Sequence, residues 1–373
     1  MKIFAVSAKF LAVFILLTTT CAVASPSKSS YELTPINVQL KWQHQFQFAG
    51  YYIAKEKGYY KQHGLAVNLL EHKTGPSPIE KLSYGDVDYA IAAAGAIVYK
   101  ANGIPLVALA TYFQHSPSLL ISRYPKLSDL LNQNIMVTKG LMNAEIIAML
   151  RKNHIQTGKV NITPTSQAYD EYNKGNIDAY NIYSSNEVFT LKKDNIDFYT
   201  FKPANHGIDF YGDVLLTLDN KIQQEPEEVK NFIESTKKGW QYAINNIDET
   251  VDIIMEKYNT QEKSKAELTF EAQQLIQLMY PDIIPLGYMN LERWQIIETE
   301  LRAAGILKGP PIDFNNFIYA PDAHASCWQT LINFKAQIFV TLIILFTLAL
   351  VFHNRRLKVK IKEHTQIIEL ERV

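Results

Sequence analysis

Four clusters of aromatic and amide side chains carry most of the chemistry this sequence offers. Trp42, His44, Gln45, Phe46, Gln47 and Phe48 lead into Tyr51 and Tyr52. Tyr112, Phe113, Gln114 and His115 form a second group, and Tyr183, Ser184, Ser185, Asn186 and Glu187 a third. His206, Gly207, Asp209, Tyr211 and Gly212 form the fourth. Rings give flat surfaces for stacking, while amides and a carboxylate read a polar edge, so together they suit a planar, nitrogen-bearing heterocycle. The candidate ligand contacts are Trp42, Gln45, Phe46, Tyr51, Tyr112, Gln114, Asn186, Glu187 and Tyr211. Trp42 and Tyr51 suit a core as well as a ligand wall, because large aromatics are mostly buried in either case. Glu187, beside apolar residues, needs a partner, which a ligand amino group or a neighbouring cation would supply.

Other chemistries lack their residues. The sequence has no phosphate-loop pattern, no GxGxxG and no GxSxG elbow. Its nine His are scattered, with no HExxH and no Cys partners, so neither a metal nor another cofactor is called for. Glu227 and Glu228 fall on a solvated helix face. Acids and bases number 37 each, which gives no field to draw the molecule to nucleic acid. Binding without catalysis is the expectation.

Open α/β sheets hold ligands at strand ends, so the clusters require strands just before them. Alternating β-type and helical runs supply these, the pattern of an α/β fold built from parallel-sheet units. Strands are predicted at Val38–Trp42, Ala66–Leu70, Asp88–Ala94 and Pro105–Thr111, and helices at Phe48–Gln62, Ile79–Tyr84 and Val98–Asn102. From about Ser118 the series restarts, with strands at Leu119–Ser122, Ile135–Thr138, Asn161–Pro164 and Asp178–Tyr183, and helices at Leu127–Leu131, Ala144–Asn153 and Ala168–Lys174. The restart implies two lobes: residues 34–115 with 205–308, and residues 116–204. After a run at Ile208–Leu218, Pro226 opens a helix with Val229, Phe232, Trp240 and Ile244 on one stripe. Asn290 caps another, which Gly305 stops.

Both ends point to a membrane. Lys2 and Lys9, the apolar run Phe10–Leu17 and Ala22-Val23-Ala24 have the order of a signal peptide, predicted over 1–24. Thr18-Thr19-Thr20 before Cys21 lacks the aliphatic residue of a lipidation signal, so cleavage near Ala24 is expected instead. Cys327 is then the one cysteine left, able to stay an unpaired thiol or to meet its copy in a homodimer. Residues 309–335, with Pro310, Pro311 and Pro321, read as an extended connector. Residues 336–352 hold no charge and read as a transmembrane helix, followed at once by Arg355, Arg356, Lys358, Lys360 and Lys362. The positive-inside rule places residues 353–373 in the cytoplasm and the lobes in the periplasm, across a bacterial inner membrane. Leu357, Ile361, His364 and Ile368 begin a coiled-coil seam in that stub.

The runs VQLKWQHQFQFAGYYIAKEKGYYKQHGLAVNLLEH, YGDVDYAIAAAG, SSNEVF and HGIDFYGDVLLT resemble the periplasmic thiamine-pyrimidine-precursor binding proteins and their relatives, the fungal pyrimidine-precursor synthases. The likeness covers about residues 36–308 and is closest to the form that serves as sensory domain of bacterial membrane receptors. It implies a type II periplasmic-binding-protein fold, two α/β lobes closing on an aminopyrimidine of the thiamine pathway or a related aromatic. It also implies that Trp42 and Tyr51 line the cleft and that Glu187 pairs with the amino-pyrimidine edge. The synthases' cysteine-rich motif is missing, since no Cys lies between Cys21 and Cys327, which argues against synthase activity with pyridoxal phosphate. Two roles fit a non-catalytic binder: a sensor with a cytoplasmic output partner, and a membrane-anchored substrate-binding component of an ABC importer with its permease.

Overall fold

The computed structural model describes residues 32–137, 140–155 and 165–370. The predicted signal peptide and the predicted strand Asn161–Pro164 lie outside the described residues. Among the described residues there are nine strands: β1 Thr34–Gln39, β2 Leu65–Leu70, β3 Tyr89–Ala93, β4 Leu106–Thr111, β5 Ser118–Ser122, β6 Ile135–Met136, β7 Ala179–Tyr183, β8 Tyr199–Phe201 and β9 Asp213–Leu218. They form two sheets, ordered β2-β1-β3-β9-β4 and β6-β7-β5-β8.

The parallel pattern predicted from sequence holds for β1 with β2 and β3, and for β6 with β7. Pairing is antiparallel elsewhere: β9 lies between β3 and β4, and β5 between β7 and β8. The reason is connectivity. The chain leaves the first sheet after β4 through residues 112–117 and comes back through 202–212 as β9, entering from the opposite end. Two crossovers between two sheets define a hinge.

Local chemistry sets the element ends. Ser77 and Glu80 form a reciprocal cap on helix Pro78–Tyr84, with Ser77 N donating to Glu80 Oε2 at 2.6 Å, and Gly85 closes the helix at φ 81°. Asn290 accepts from Arg293 N at 2.9 Å, as predicted, and opens helix Leu291–Ala303. The predicted long helix Phe48–Gln62 is instead a 3-10 turn at Phe46–Phe48 and two helices, Ala49–Glu56 and Tyr59–Gln62, divided where Gly58 turns left-handed at φ 73°. The strand predicted at Val38–Trp42 ends at Gln39, which leaves Lys41 and Trp42 in the loop beyond it.

The first lobe has a large core of its own. Helix Ala49–Glu56 lies against helix Pro226–Asn245 so closely that a Cβ at Gly239 would sit 2.0 Å from Gly50 O, and one at Gly50 would meet the Trp240 ring at 2.2 Å. Phe232 stacks on Tyr89 at 4.1 Å and on Tyr60 at 5.2 Å, and all three are buried. Each such ring contributes roughly 2–3 kcal/mol by leaving water. The second lobe keeps a small core of its own around Tyr172, Tyr180 and Leu191. A third core, with Leu120, Met149, Trp294 and Leu301, runs between the lobes behind the hinge.

Residues 309–320 do not form the plain extended connector predicted. A 3-10 turn at Phe314–Asn316 is followed by pairing with β4, where Ala108 N donates to Phe317 O at 2.7 Å and Tyr319 N to Ala108 O at 2.9 Å. Phe317 is fully buried, which explains why the segment docks. Pro321–Leu370 then form one continuous helix of 50 residues, about 75 Å long at 1.5 Å per residue. Within it, Gln337–Lys362 is long and apolar enough to cross a membrane, with mean hydropathy 2.0 over its most apolar 18 residues.

Candidate ligand-binding cleft

The loops after β1 and β7 face each other across the gap between the sheets. Lys41, Trp42 and Gln45 come from the first, Asn181, Ile182 and Tyr183 from the end of β7, and Asn186 and Glu187 from the start of the helix Glu187–Lys193 that follows it. Met142 and Asn143, just before helix Ala144–Lys152, complete a cavity of about 40 Å³. An apolar cavity that accepts benzene is about 150 Å³, so the space between the walls is narrower than an aromatic ring fills.

Its first-lobe wall is a chain of satisfied polar groups. Lys41 Nζ lies 2.5 Å from Asp213 Oδ1, and Gln47 Nε2 donates to both Asp213 oxygens at 2.9 and 2.8 Å. Gln47 Oε1 accepts from Gln45 Nε2 at 2.5 Å, and Gln45 Oε1 accepts from Lys263 Nζ at 3.0 Å. Glu271 lies 3.3 Å from Lys263 and also takes the backbone N–H groups of Phe46 and Gln47. Burial works against the Lys41 ammonium, but Asp213 and the Tyr183 hydroxyl outweigh it and hold its pKa above the ordinary lysine value. A buried charge keeps its ionised form only with such partners.

Two lysines reach over to the second lobe. Lys41 Nζ donates to Tyr183 OH at 2.8 Å, and Lys263 Nζ to Asn186 Oδ1 at 2.6 Å. Phe189 and Phe270 rings meet at 5.5 Å. At the seam beside the cavity, Gly95 comes so near Leu141 that a Cβ would lie 2.3 Å from the Leu141 carbonyl oxygen.

The second-lobe wall is less settled. Glu187 Oε2 accepts from Tyr183 N at 3.0 Å, and no basic side chain pairs with it among the described residues. Burial pushes its carboxyl above the usual range, against the two backbone amides and Lys263. Below the cavity, Glu145 accepts from Ser116 Oγ of the crossover at 2.6 Å, and burial raises its pKa to about 7.

Of the nine candidate contacts, Trp42, Gln45, Asn186 and Glu187 line this cavity. The other five are placed elsewhere. Phe46, Tyr51 and Tyr112 belong to the first-lobe core, where Tyr51 packs edge-on against Tyr112 and Trp240 at 6.2 and 6.5 Å. Tyr211 packs beside Trp294 behind the hinge, its hydroxyl accepting from Asn290 N at 2.8 Å, and Gln114 donates to Tyr288 O at 3.0 Å. Local packing explains the split: Trp42 and Gln45 lie in the loop after β1, Phe46 enters a buried 3-10 turn, and Tyr51 sits on the helix side turned to Trp240. Sequence reasoning missed Lys41, Met142, Asn143, Asn181 and Ile182 as lining residues, and placed Tyr183 in the third cluster without counting it among the nine contacts. A lysine amid the apolar run VQLKW was the available signal, because a charge there must find a partner.

Comparison with known proteins places this geometry. The 13%-identical alkanesulfonate-binding protein SsuA from Xanthomonas axonopodis pv. citri, solved bound to MOPS, superposes with a TM-score of 0.60 over 77% of this chain and 99% of that one. The Candida albicans CA3427 gene product, described as having the generic periplasmic binding protein structural fold, superposes at 0.55 with 18% identity over 77% of this chain and 96% of that one. The architecture is therefore the periplasmic-binding-protein fold. In sequence, the chain is 21% identical to a formylaminopyrimidine-binding protein of Halalkalibacterium halodurans over 84% of its length and 97% of the relative's. It is 20% identical to the riboflavin-binding protein RibY of Chloroflexus aurantiacus, over 79% and 92%. The family model described as NMT1/THI5 like matches residues 45–250, more than half the chain, and this chain belongs to that family.

Proposed function

We propose that this chain is a membrane-tethered, non-catalytic binding protein that closes two lobes, outside the membrane, on a small planar nitrogen heterocycle of the aminopyrimidine class. One observation carries the reading. Glu187 stands among the cavity-lining residues with Trp42 and Tyr183, held by backbone amides and by no cation among the described residues. A ligand amino group would supply the missing partner while the rings take its faces. The relatives named for formylaminopyrimidine and riboflavin bind nitrogen heterocycles by name, which supports the same class. Tethering draws on the stretch Gln337–Lys362, whose charge-free part is followed by the basic run at residues 355–362, a pattern that orients the lobes outward.

Sensing is the role favoured by the helix itself, which runs without a break from Pro321 through the apolar segment to Leu370, so lobe closure has a rigid element to bias. The second reading, an anchored component of an importer, draws on relatives named as binding proteins. Ligand-dependent uptake lost in cells lacking the chain would select it.

Calorimetry on the full-length protein in detergent tests the ligand class. An aminopyrimidine should bind and an alkanesulfonate should not. Glu187→Gln should weaken the aminopyrimidine about 10- to 100-fold, the scale of a charge-assisted hydrogen bond. Sulfonate binding without aminopyrimidine binding, or full affinity in Glu187→Gln, overturns the assignment.

A further inference from the structure

The cleft continues past the aromatic cavity. Lys41 and Met142 line both that cavity and a second chamber of about 460 Å³, against about 40 Å³ for the first. The chamber sits at the carboxyl ends of β1, β2 and β3 and is closed on the second-lobe side by Gly140 and Leu141. Its room comes from small side chains. Ala92, Ala93 and Ala96 form one wall where the sequence runs AIAAAGA, and Gly95 in the same run lets Leu141 approach.

The polar groups facing it are hydrogen-bonding and, as a set, neutral. Ser77 Oγ lies 3.3 Å from Tyr99 OH, and His72 Nδ1 is buried with no hydrogen-bond partner. Burial, aided by Lys81, lowers the His72 pKa and keeps the imidazole neutral. The charges nearby are already committed. Lys41 is paired with Asp213, Lys81 donates to Gln39 Oε1 at 2.9 Å, and Glu80 holds Ser77 N at 2.6 Å. An anionic group entering here would meet no cation without a counter-ion or acceptor of its own, and would have to shed its water at a cost. Hydroxyls would find a histidine nitrogen, a serine and a tyrosine.

We propose that the ligand is a planar nitrogen ring bearing an uncharged, hydroxyl-rich side chain, the ring in the aromatic cavity and the side chain in the second chamber. The inference rests on the ring-site reading above and adds to it the second half of the molecule.

Calorimetry on the full-length protein compares three probes: 4-amino-2-methylpyrimidine, the same ring carrying an uncharged five-carbon polyol at C5, and that compound phosphorylated on its terminal hydroxyl. The polyol should tighten binding about tenfold over the bare ring, and the phosphate should add nothing. Ala93→Leu, which fills the chamber, and His72→Phe, which removes the unpartnered nitrogen, should each erase the polyol's gain while the bare ring keeps its affinity within about twofold. A bare ring that binds as tightly as its polyol form, or a polyol gain that survives both substitutions, overturns the second chamber and leaves the ring site standing. A phosphorylated probe that binds tightest overturns the uncharged class. If neither the bare nor the polyol ring binds, the ring site itself falls, and the chamber assignment with it.

Discussion

On the first-lobe wall of the cleft, Lys41 meets Asp213 at 2.5 Å and Lys263 lies 3.3 Å from Glu271, so each cation has its counter-ion before a ligand arrives. On the second-lobe wall, Glu187 has only backbone amides, while Asn186 and the Tyr183 hydroxyl receive their hydrogen bonds from across the gap. The first wall is satisfied internally and the second depends on what faces it. The cores below differ in kind: the first lobe rests on a tight helix pair and stacked rings, while the second divides its apolar residues between a small cluster around Tyr172 and Tyr180 and the core it shares with the first lobe. A rigid lobe with settled charges and a lighter lobe with unsettled acceptors make a device in which one half positions and the other half reads.

The contrast can be broken at its strongest point first. Gly239→Ala drives a Cβ to 2.0 Å from Gly50 O, and neither helix backbone can yield cheaply. We expect a loss of about 3 kcal/mol or more in folding stability, read from thermal melts of the full-length protein. A melt within two degrees of wild type would show that the helix pair is not the rigid element.

Next in size is pH. Glu145 faces Ser116 and Ser118 of the crossover and β5, Lys41 of the first lobe and Asp209 of the second crossover, with a pKa raised from the usual 4.5 to about 7 by burial. A carboxyl raised on folding contributes fully below its unfolded pKa, and the contribution is lost as pH rises through its folded value. Stability should therefore fall between about pH 4.5 and pH 7, by at most about 3 kcal/mol, and stay level above. Glu145→Gln should flatten that slope, so parallel profiles for the two proteins would count against the hinge carboxyl.

Gly95→Ala acts on the seam and spares the lobes. With a Cβ 2.3 Å from Leu141 O the lobes should stop short of contact. Ligand affinity should drop about tenfold while stability shifts by less than about 1 kcal/mol. An unaltered affinity would mean that binding does not require the closed seam. The smallest effect belongs to Lys263→Met. Glu271 keeps two backbone donors, but the bridge to Asn186, the bond to Gln45 and the ion pair with Glu271 are lost, and a severalfold weaker ligand affinity is expected, followed through Trp42 fluorescence. A loss as large as that of Gly95→Ala would make the bridge, and not the seam, the element that holds the lobes together.

Sequence periodicity made much of the scaffold legible. The small-residue strand predicted at Asp88–Ala94 appears as Tyr89–Ala93, and the Asn290 cap and the helix end after Tyr84 appear where predicted, because they need only local interactions. The antiparallel insertion of β9 was not legible, because it depends on where the chain returns after a long excursion. The site was legible in part for a similar reason. Aromatics were recognisable as a class, yet Trp42 faces the cleft and Phe46 does not because β1 ends at Gln39 and Phe46 enters a 3-10 turn packed into the first-lobe core, neither of which the local pattern announces. Lys41 was passed over because its meaning lies in Asp213, 172 positions away in the chain and beside it in the fold.

The pairing of Phe317 and Tyr319 with Ala108 has a bearing on handling the molecule. β4 is the outermost strand of its sheet, and an outermost strand left bare offers its N–H and C=O groups to any other chain. The segment that leads to the apolar helix is also the cover on that rim, assisted by Gly287 at Thr111. Cutting the chain before Gly309 would strip the cover and invite strand-to-strand aggregation of the released lobes. The point at which to separate the lobes from the helix is therefore after Ala320, with the rim still covered and Pro321 left to open the helix.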